Sequence, residues 1–177
     1  NVHRDGILRS TTVPCGLPAR ATTDAVLIAG RIVNALDYVG VMGVELFVTP
    51  KGLIVNEIAP RVHNSGHWTQ QGAFCCQFEN HVRAVAGLPL GSTDLMQPSA
   101  MINVLGQDAI PQQVLATPGV RSHWYGKTVK PGRKMGHINV SANSLYELGE
   151  RLSELQAHLS EQDYPGMKAR AQQLKSS

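Results

Sequence analysis

The chemistry in this chain is concentrated in one short region. Glu45 and Glu57 lie in two β-branched runs, 41–49 and 53–58, separated by Pro50, Lys51 and Gly52. That pattern is a hairpin signal. A three-residue loop with Gly52 left-handed sets Thr49 against Leu53, Phe47 against Val55 and Glu45 against Glu57. Both carboxylates then leave the same face of neighbouring strands, with Cβ atoms about 5 Å apart. Like charges so placed repel. A divalent cation between them reverses the sign, and hard carboxylate oxygens suit Mg²⁺. A different loop register instead turns one glutamate to solvent on an edge strand, and strand chemistry alone leaves both arrangements open.

The loop after the hairpin, Asn56 to His67, is dense in polar side chains. Arg61 offers a planar, permanently charged fork for a carbonate or phosphate. His63 exchanges a proton near neutral pH. Asn64 and Ser65 can bind phosphoryl oxygens or orient water. A zinc site on His63 and His67 lacks a third and fourth ligand at suitable spacing; as a plainer reading, these histidines cap the loop and the next helix. A second cluster lies at 126–136, where Lys127, Lys130, Arg133 and Lys134 stand among glycines and a proline. Taken alone it reads as a solvated hairpin tip. The glycines nonetheless leave backbone open to a ligand, and Arg suits bidentate phosphate binding.

Several elements must hold these groups in place. Strands are expected at 7–13, 41–49, 53–58, 100–105, 120–125 and 135–140. A helix at 25–36, capped by Thr22 or Thr23, is apolar on most sides and so expected to be largely buried. A second helix at 72–86 carries Phe74, Phe78, Val82 and Val85 on one stripe and stops at Gly87. Two prolines and several turn formers in 88–98 mark a subdomain boundary. The amphipathic helix 144–159 rests on Leu145, Leu148, Leu152, Leu155 and Leu159, and the polar tail after it is expected to fray.

Length and composition bound the function. The 177 residues suit one domain or one and a half. A net charge of +3, with acids and bases interspersed, does not mark a nucleic-acid binder. The three cysteines form no disulfide framework and suit a reducing cytosol. No apolar run reaches the length of a membrane span. The start, Asn1 to Gly6, is not a natural one, so a fragment is expected.

The segments Gly-Val-Glu-Leu-Phe at 43–47 and Asn-Glu-Ile-Ala-Pro-Arg-Val-His-Asn-Ser-Gly-His-Trp-Thr at 56–69 resemble the ATP-grasp carboxylases. Within them they look like the 5-(carboxyamino)imidazole ribonucleotide synthase family. Segments 77–83, 87–90 and 124–137 match the same family. The resemblance implies an α+β fold: the second half of an ATP-grasp domain at 1–90, an antiparallel sheet with helices, then a small β-rich subdomain at 91–177, of rudimentary barrel-sandwich type, with a terminal helix. It implies ATP as substrate, Mg²⁺ and no biotin. Carboxyphosphate, made from bicarbonate, would carboxylate aminoimidazole ribonucleotide in purine biosynthesis, and the enzyme would be a homodimer.

The resemblance also assigns roles. Glu45 and Glu57 match the metal ligands, and Arg61, His63 and Asn64 match the loop around bicarbonate and carboxyphosphate. Lys127 and Arg133 match residues on the ribonucleotide phosphate, with Lys134 in reserve. The family's adenine hinge, phosphate-binding lysines and glycine-rich lid are not in this sequence, so the chain alone is expected to be inactive. Alternative readings are another ATP-grasp ligase, such as a formate-dependent transformylase or a biotin carboxylase relative, and a non-catalytic phosphate- or nucleic-acid-binding domain.

Overall fold

Strict alternation in the second half of the chain produces a sheet with two different faces. The protein is described by a computed structural model covering residues 1–176. Its elements are β1 (Val2–Arg4), β2 (Ile7–Val13), α1 (Ala19–Ala35), β3 (Gly43–Thr49) and β4 (Gly52–Ala59). A 3₁₀ turn (Asn64–Gly66), α2 (Thr69–Gly72) and α3 (Gln77–Val85) follow. Then come β5 (Ser99–Leu105), α4 (Gln112–Ala116), β6 (Val120–Trp124), β7 (Lys134–Ser141), α5 (Leu145–Gln156) and α6 (Met167–Lys175). One five-stranded sheet runs in the order β1-β2-β5-β7-β6, and β3-β4 form a separate hairpin. Every strand pair is antiparallel, as an α+β fold of this type requires.

Side chains alternate across a strand, so each central strand serves both faces. Ala100, Ile102 and Val104 of β5 and Ile138 and Val140 of β7 face one way, into the main core. Leu148, Leu152 and Leu155 of α5 and Met167, Ala171 and Leu174 of α6 cover them. The intervening residues, Ser99 and Asn103 on β5 and His137, Asn139 and Ser141 on β7, are equally buried but polar. This second face receives the loop that follows the β3-β4 hairpin, through bonds such as Asn139 Nδ2 to the His67 carbonyl at 2.9 Å. One face therefore stabilises the fold and the other positions the candidate site. The sheet also joins strands from either side of the expected boundary at 88–98, because β2 pairs with β5.

Four expectations need correction. α1 starts at Ala19, not Ala25, because Pro18 sits at its N-cap with the fixed φ of −56° and no N–H to leave unpaired. Thr22 and Thr23 are therefore inside the helix, where Thr23 Oγ1 bonds back to the Ala19 carbonyl at 3.1 Å. None of its residues is buried: β4 is its main packing partner, and Val26 remains 67% exposed. α3 starts at Gln77 because 73–75 pairs in extended form with the 92–95 stretch, placing Phe74 outside the helix. Phe74, Val82 and Val85 are exposed, so their stripe covers no core. The tail does not fray: Met167, Ala171 and Leu174 recur at helical spacing and pack α6 on α5. Among the described residues no helix is long and apolar enough to cross a membrane.

Candidate active site

The β3-β4 hairpin does place Glu45 opposite Glu57, by a different count from the expected one. Thr49 pairs with Gly52, so only Pro50 and Lys51 form the loop. Thr49 Oγ1 closes it, donating to the Gly52 carbonyl at 2.9 Å and accepting from Lys51 N at 3.2 Å. Gly52, at φ +119°, takes a conformation that a side chain would resist. Phe47 then faces Ile54 rather than Val55. A bulge at Asn56 restores the pairing of Glu45 with Glu57. The Glu45 side chain is largely enclosed, at 11% exposure, while that of Glu57 is 53% exposed. Glu45 Oε2 lies 3.8 Å from His3 Nε2 and accepts from Asn56 Nδ2 at 3.5 Å. The pair borders an open cleft of about 650 Å³ that also takes in His3, Phe47 and Asn56.

The loop brings the next groups to the pair. His63 Nε2 lies 3.8 Å from Glu57 Oε1, and its Nδ1 accepts from Ser65 N at 3.4 Å and meets Ser65 Oγ at 2.8 Å. Burial lowers the His63 pKa below its ordinary value, against the pull of Glu45 and Glu57. With Nδ1 accepting from Ser65 N, the neutral ring carries its proton on Nε2, towards Glu57. The exposed Arg61 donates to the Val62 carbonyl at 2.9 Å. Asn64 carries a buried side-chain amide with no hydrogen-bond partner on either atom.

The basic segment divides. Lys134 reaches the site: burial lowers its pKa first and the Arg61 charge next, while Glu45 and Glu57 act the other way. Lys127 stands at the margin, its Nζ 4.9 Å from the Tyr125 ring centre and close enough to bear on Lys134. Arg133 donates to the Thr128 carbonyl at 3.0 Å and so holds its own loop. The structure therefore gathers Glu45, Glu57, Arg61, His63, Asn64 and Lys134, with Lys127 beside them and Arg133 turned away.

Sequence reasoning missed the support beneath this site. Three imidazoles stack on the polar face of the sheet, with His137 4.6 Å from His67 and 4.4 Å from His123 between ring centres. His137 Nδ1 accepts from the Tyr125 hydroxyl at 2.6 Å, and its Nε2 donates to Gln70 Oε1 at 2.9 Å. His123 Nε2 donates to Gln71 Oε1 at 3.1 Å. His67 Nδ1 accepts from Gln77 Nε2 at 2.9 Å. Burial pushes His67 down to about 4 and His137 down to about 3, aided by Lys134 on His67 and by the neighbouring rings. The available signal was the alternation of His137, Asn139 and Ser141 with apolar residues in β7, since polar groups inside an apolar strand need buried partners.

Two family models match parts of the chain. Residues 1–78 match the ATP-grasp domain family, and residues 99–151 match the phosphoribosylaminoimidazole carboxylase C-terminal domain family. The chain is 52% identical over 174 residues to N5-carboxyaminoimidazole ribonucleotide synthase of Vibrio cholerae, covering 98% of this chain and 46% of that protein. It is similar to the crystal structure of N5-carboxyaminoimidazole ribonucleotide synthetase from Thermus thermophilus, with a TM-score of 0.87 and 49% identity over 91% of this chain and 45% of that one. It also resembles N5-carboxyaminoimidazole synthase from Aspergillus clavatus, in complex with ADP and 5-aminoimidazole ribonucleotide, with a TM-score of 0.81 and 35% identity. That match covers 88% of this chain and 45% of that one. The chain thus spans about half the length of the curated relatives it matches.

Proposed function

Because the chain belongs to the ATP-grasp family, and within it to the N5-carboxyaminoimidazole ribonucleotide synthases, we propose that it forms the metal- and carboxyphosphate-binding half of an ATP-dependent carboxylase. Residues 1–90 would be the second half of the ATP-grasp unit and 91–177 a small subdomain closing over it. The remaining length of the relatives would supply the adenine site and lid. In the reaction, bicarbonate oxygen takes the γ-phosphoryl group of ATP and ADP leaves. The exocyclic amine of aminoimidazole ribonucleotide then attacks the carboxyl carbon of carboxyphosphate, phosphate departs, and the amine loses a proton. A cytosolic homodimer is the form we expect, on the family resemblance.

The observation that carries this reading is the facing of Glu45 and Glu57 within the field of Lys134 and Arg61. No group of three or more His, Cys, Asp or Glu able to hold a metal is found among the described residues. Two carboxylates and a phosphate-bearing substrate are nevertheless the donor set Mg²⁺ accepts, since it keeps waters and takes few protein ligands. Bound there, it would neutralise phosphate charge during transfer. Arg61 would offset charge on carboxyphosphate. His63, with its proton facing Glu57, would orient that carboxylate, and Asn64 would bind the intermediate's oxygens. The test is ADP release by the whole enzyme. It should require both bicarbonate and aminoimidazole ribonucleotide; turnover with formate in place of bicarbonate would instead identify a transformylase.

We assign Lys127 and Lys134 to the 5′-phosphate of the ribonucleotide, Lys134 taking the place expected of Arg133, whose guanidinium bonds to its own loop. That phosphate does not react, so its contacts act as uniform binding. Lys127→Ala should raise the KM for ribonucleotide roughly 10-fold or more, from the loss of one charge-assisted contact. The KM for ATP should hold steady. A changed ATP KM with unchanged ribonucleotide KM would refute the assignment.

A further inference from the structure

Gln77 opens α3, and the reaction described above gives it no part. Its side chain is buried, at 8% exposure, and every polar atom of the amide is engaged. Oε1 accepts from His63 N at 2.9 Å. Nε2 donates to the His63 carbonyl at 2.8 Å and to His67 Nδ1 at 2.9 Å. The backbone fixes this orientation: an N–H on one side and a carbonyl on the other leave the amide only one satisfied setting. A single side chain thus grips one residue of the loop in both directions, as a neighbouring strand would. His63 is extended there, at φ −120° and ψ 148°. The rest of Gln77 is pinned too, because its own N–H donates to Thr69 Oγ1 at 3.0 Å.

The groups that face the carboxylate pair have little other support. Arg61 donates to its own neighbour, Val62, and the Asn64 amide is buried without a partner. Residues 61 and 64 flank the gripped position on either side. We propose that Gln77 is a positioning residue for carboxylation: by clamping the His63 peptide it sets the direction in which Arg61, His63 and Asn64 meet the carboxyphosphate. This rests on the functional reading above. Gly66 belongs to the same arrangement, because a Cβ there would lie 2.5 Å from Gln77 Oε1 and 2.9 Å from Cδ. A methyl group at that position presses the amide away from His63.

In the whole enzyme, Gln77→Met keeps the side-chain length and removes all three hydrogen bonds. We expect kcat to fall roughly 10- to 100-fold, the scale on which a misplacement of about 1 Å acts. The KM for ATP should stay within about twofold, because uniform binding is untouched. The ¹⁵N spectrum of the imidazoles supplies a readout that lost stability would not move. His67 should show the Nε2–H tautomer in the wild type and a mixture of tautomers in Gln77→Met. Gly66→Ala should shift both readouts in the same direction by less, and it decides the matter if Gln77→Met does not fold. Wild-type kcat in a folded Gln77→Met protein would overturn the proposal, as would lost activity with the His67 tautomer unchanged. In either case the wild-type enzyme still turns over; absence of bicarbonate-dependent turnover in the wild type would overturn the functional reading itself.

Discussion

Glu57→Gln should abolish most turnover while leaving the fold at least as stable as before. The two effects have opposite signs for one reason. Glu45 and Glu57 face each other across the hairpin, and like charges directly opposite destabilise a strand pair by roughly 0.2–1 kcal/mol. Glutamine keeps the shape and removes one charge, so the thermal midpoint should hold or rise slightly. The same neutral amide is a poor ligand for Mg²⁺. Loss of a group that neutralises transferring phosphate costs on the order of 10²–10³ in kcat. Glu45→Gln should act alike, since each glutamate also stands 3.8 Å from one histidine, Glu45 from His3 and Glu57 from His63. Turnover and thermal midpoint, each followed through a Mg²⁺ titration, give the answer. Near-normal rates at limiting Mg²⁺ in both variants would show that the carboxylates do not hold the metal.

The histidine stack should make the protein acid-sensitive well above the range of its carboxylates. His67 and His137 have folded pKa values of about 4 and about 3, against an ordinary value of 6.5. From pH 6.5 downwards the unfolded chain therefore binds more protons than the folded one, and stability is lost as pH falls. It is fully present above pH 6.5. The loss runs down to about pH 4 for His67 and about pH 3 for His137. Each contributes a slope approaching about 1.4 kcal/mol per pH unit within its window. Desolvation leads, and geometry adds to it: each Nδ1 accepts a hydrogen bond, from Tyr125 in one case and Gln77 in the other. A second ring proton would point at that donor. Urea unfolding of wild type and His67→Gln at pH 7.0, 6.0 and 5.0 measures the slope. His67→Gln should start less stable and lose less per unit. Parallel slopes would mean that the stack takes up protons without strain.

The sequence was informative wherever periodicity alone decides, and less so where packing partners do. Strands β2, β5, β6 and β7 follow from β-branched alternation, and the facing of Glu45 and Glu57 was foreseen. That success combined two offsetting details: a loop one residue shorter than expected and an extra residue at Asn56. No pattern of residue types reveals a bulge, because it depends on how the strand meets its neighbours. The apolar content of α1 was read as burial, yet content does not say what covers a helix, and here the cover is slight. The tail was dismissed for its Lys, Arg and Gln, although Met167, Ala171 and Leu174 carry the helical spacing. Gln70 and Gln77 were least legible of all. Their importance comes from the docking of a loop on a sheet far along the chain, where hydrogen-bond partners lie up to 72 residues apart.

The pairing of β2 with β5 has a further consequence for how the molecule can be divided. All of residues 14–98, including the carboxylate hairpin and its loop, are inserted between two strands that lie side by side. A cut anywhere in the turn-rich 88–98 stretch would leave Ser10 to Val13 on one piece and Ser99 to Ile102 on the other, each carrying one side of the same seam. Those backbone bonds, together with the loop's grip on β7 through His67 and Asn139, would draw the pieces back together. Covalent continuity and structural unity are thus separate properties here. Two fragments divided there and expressed apart would rebuild the site only by finding each other.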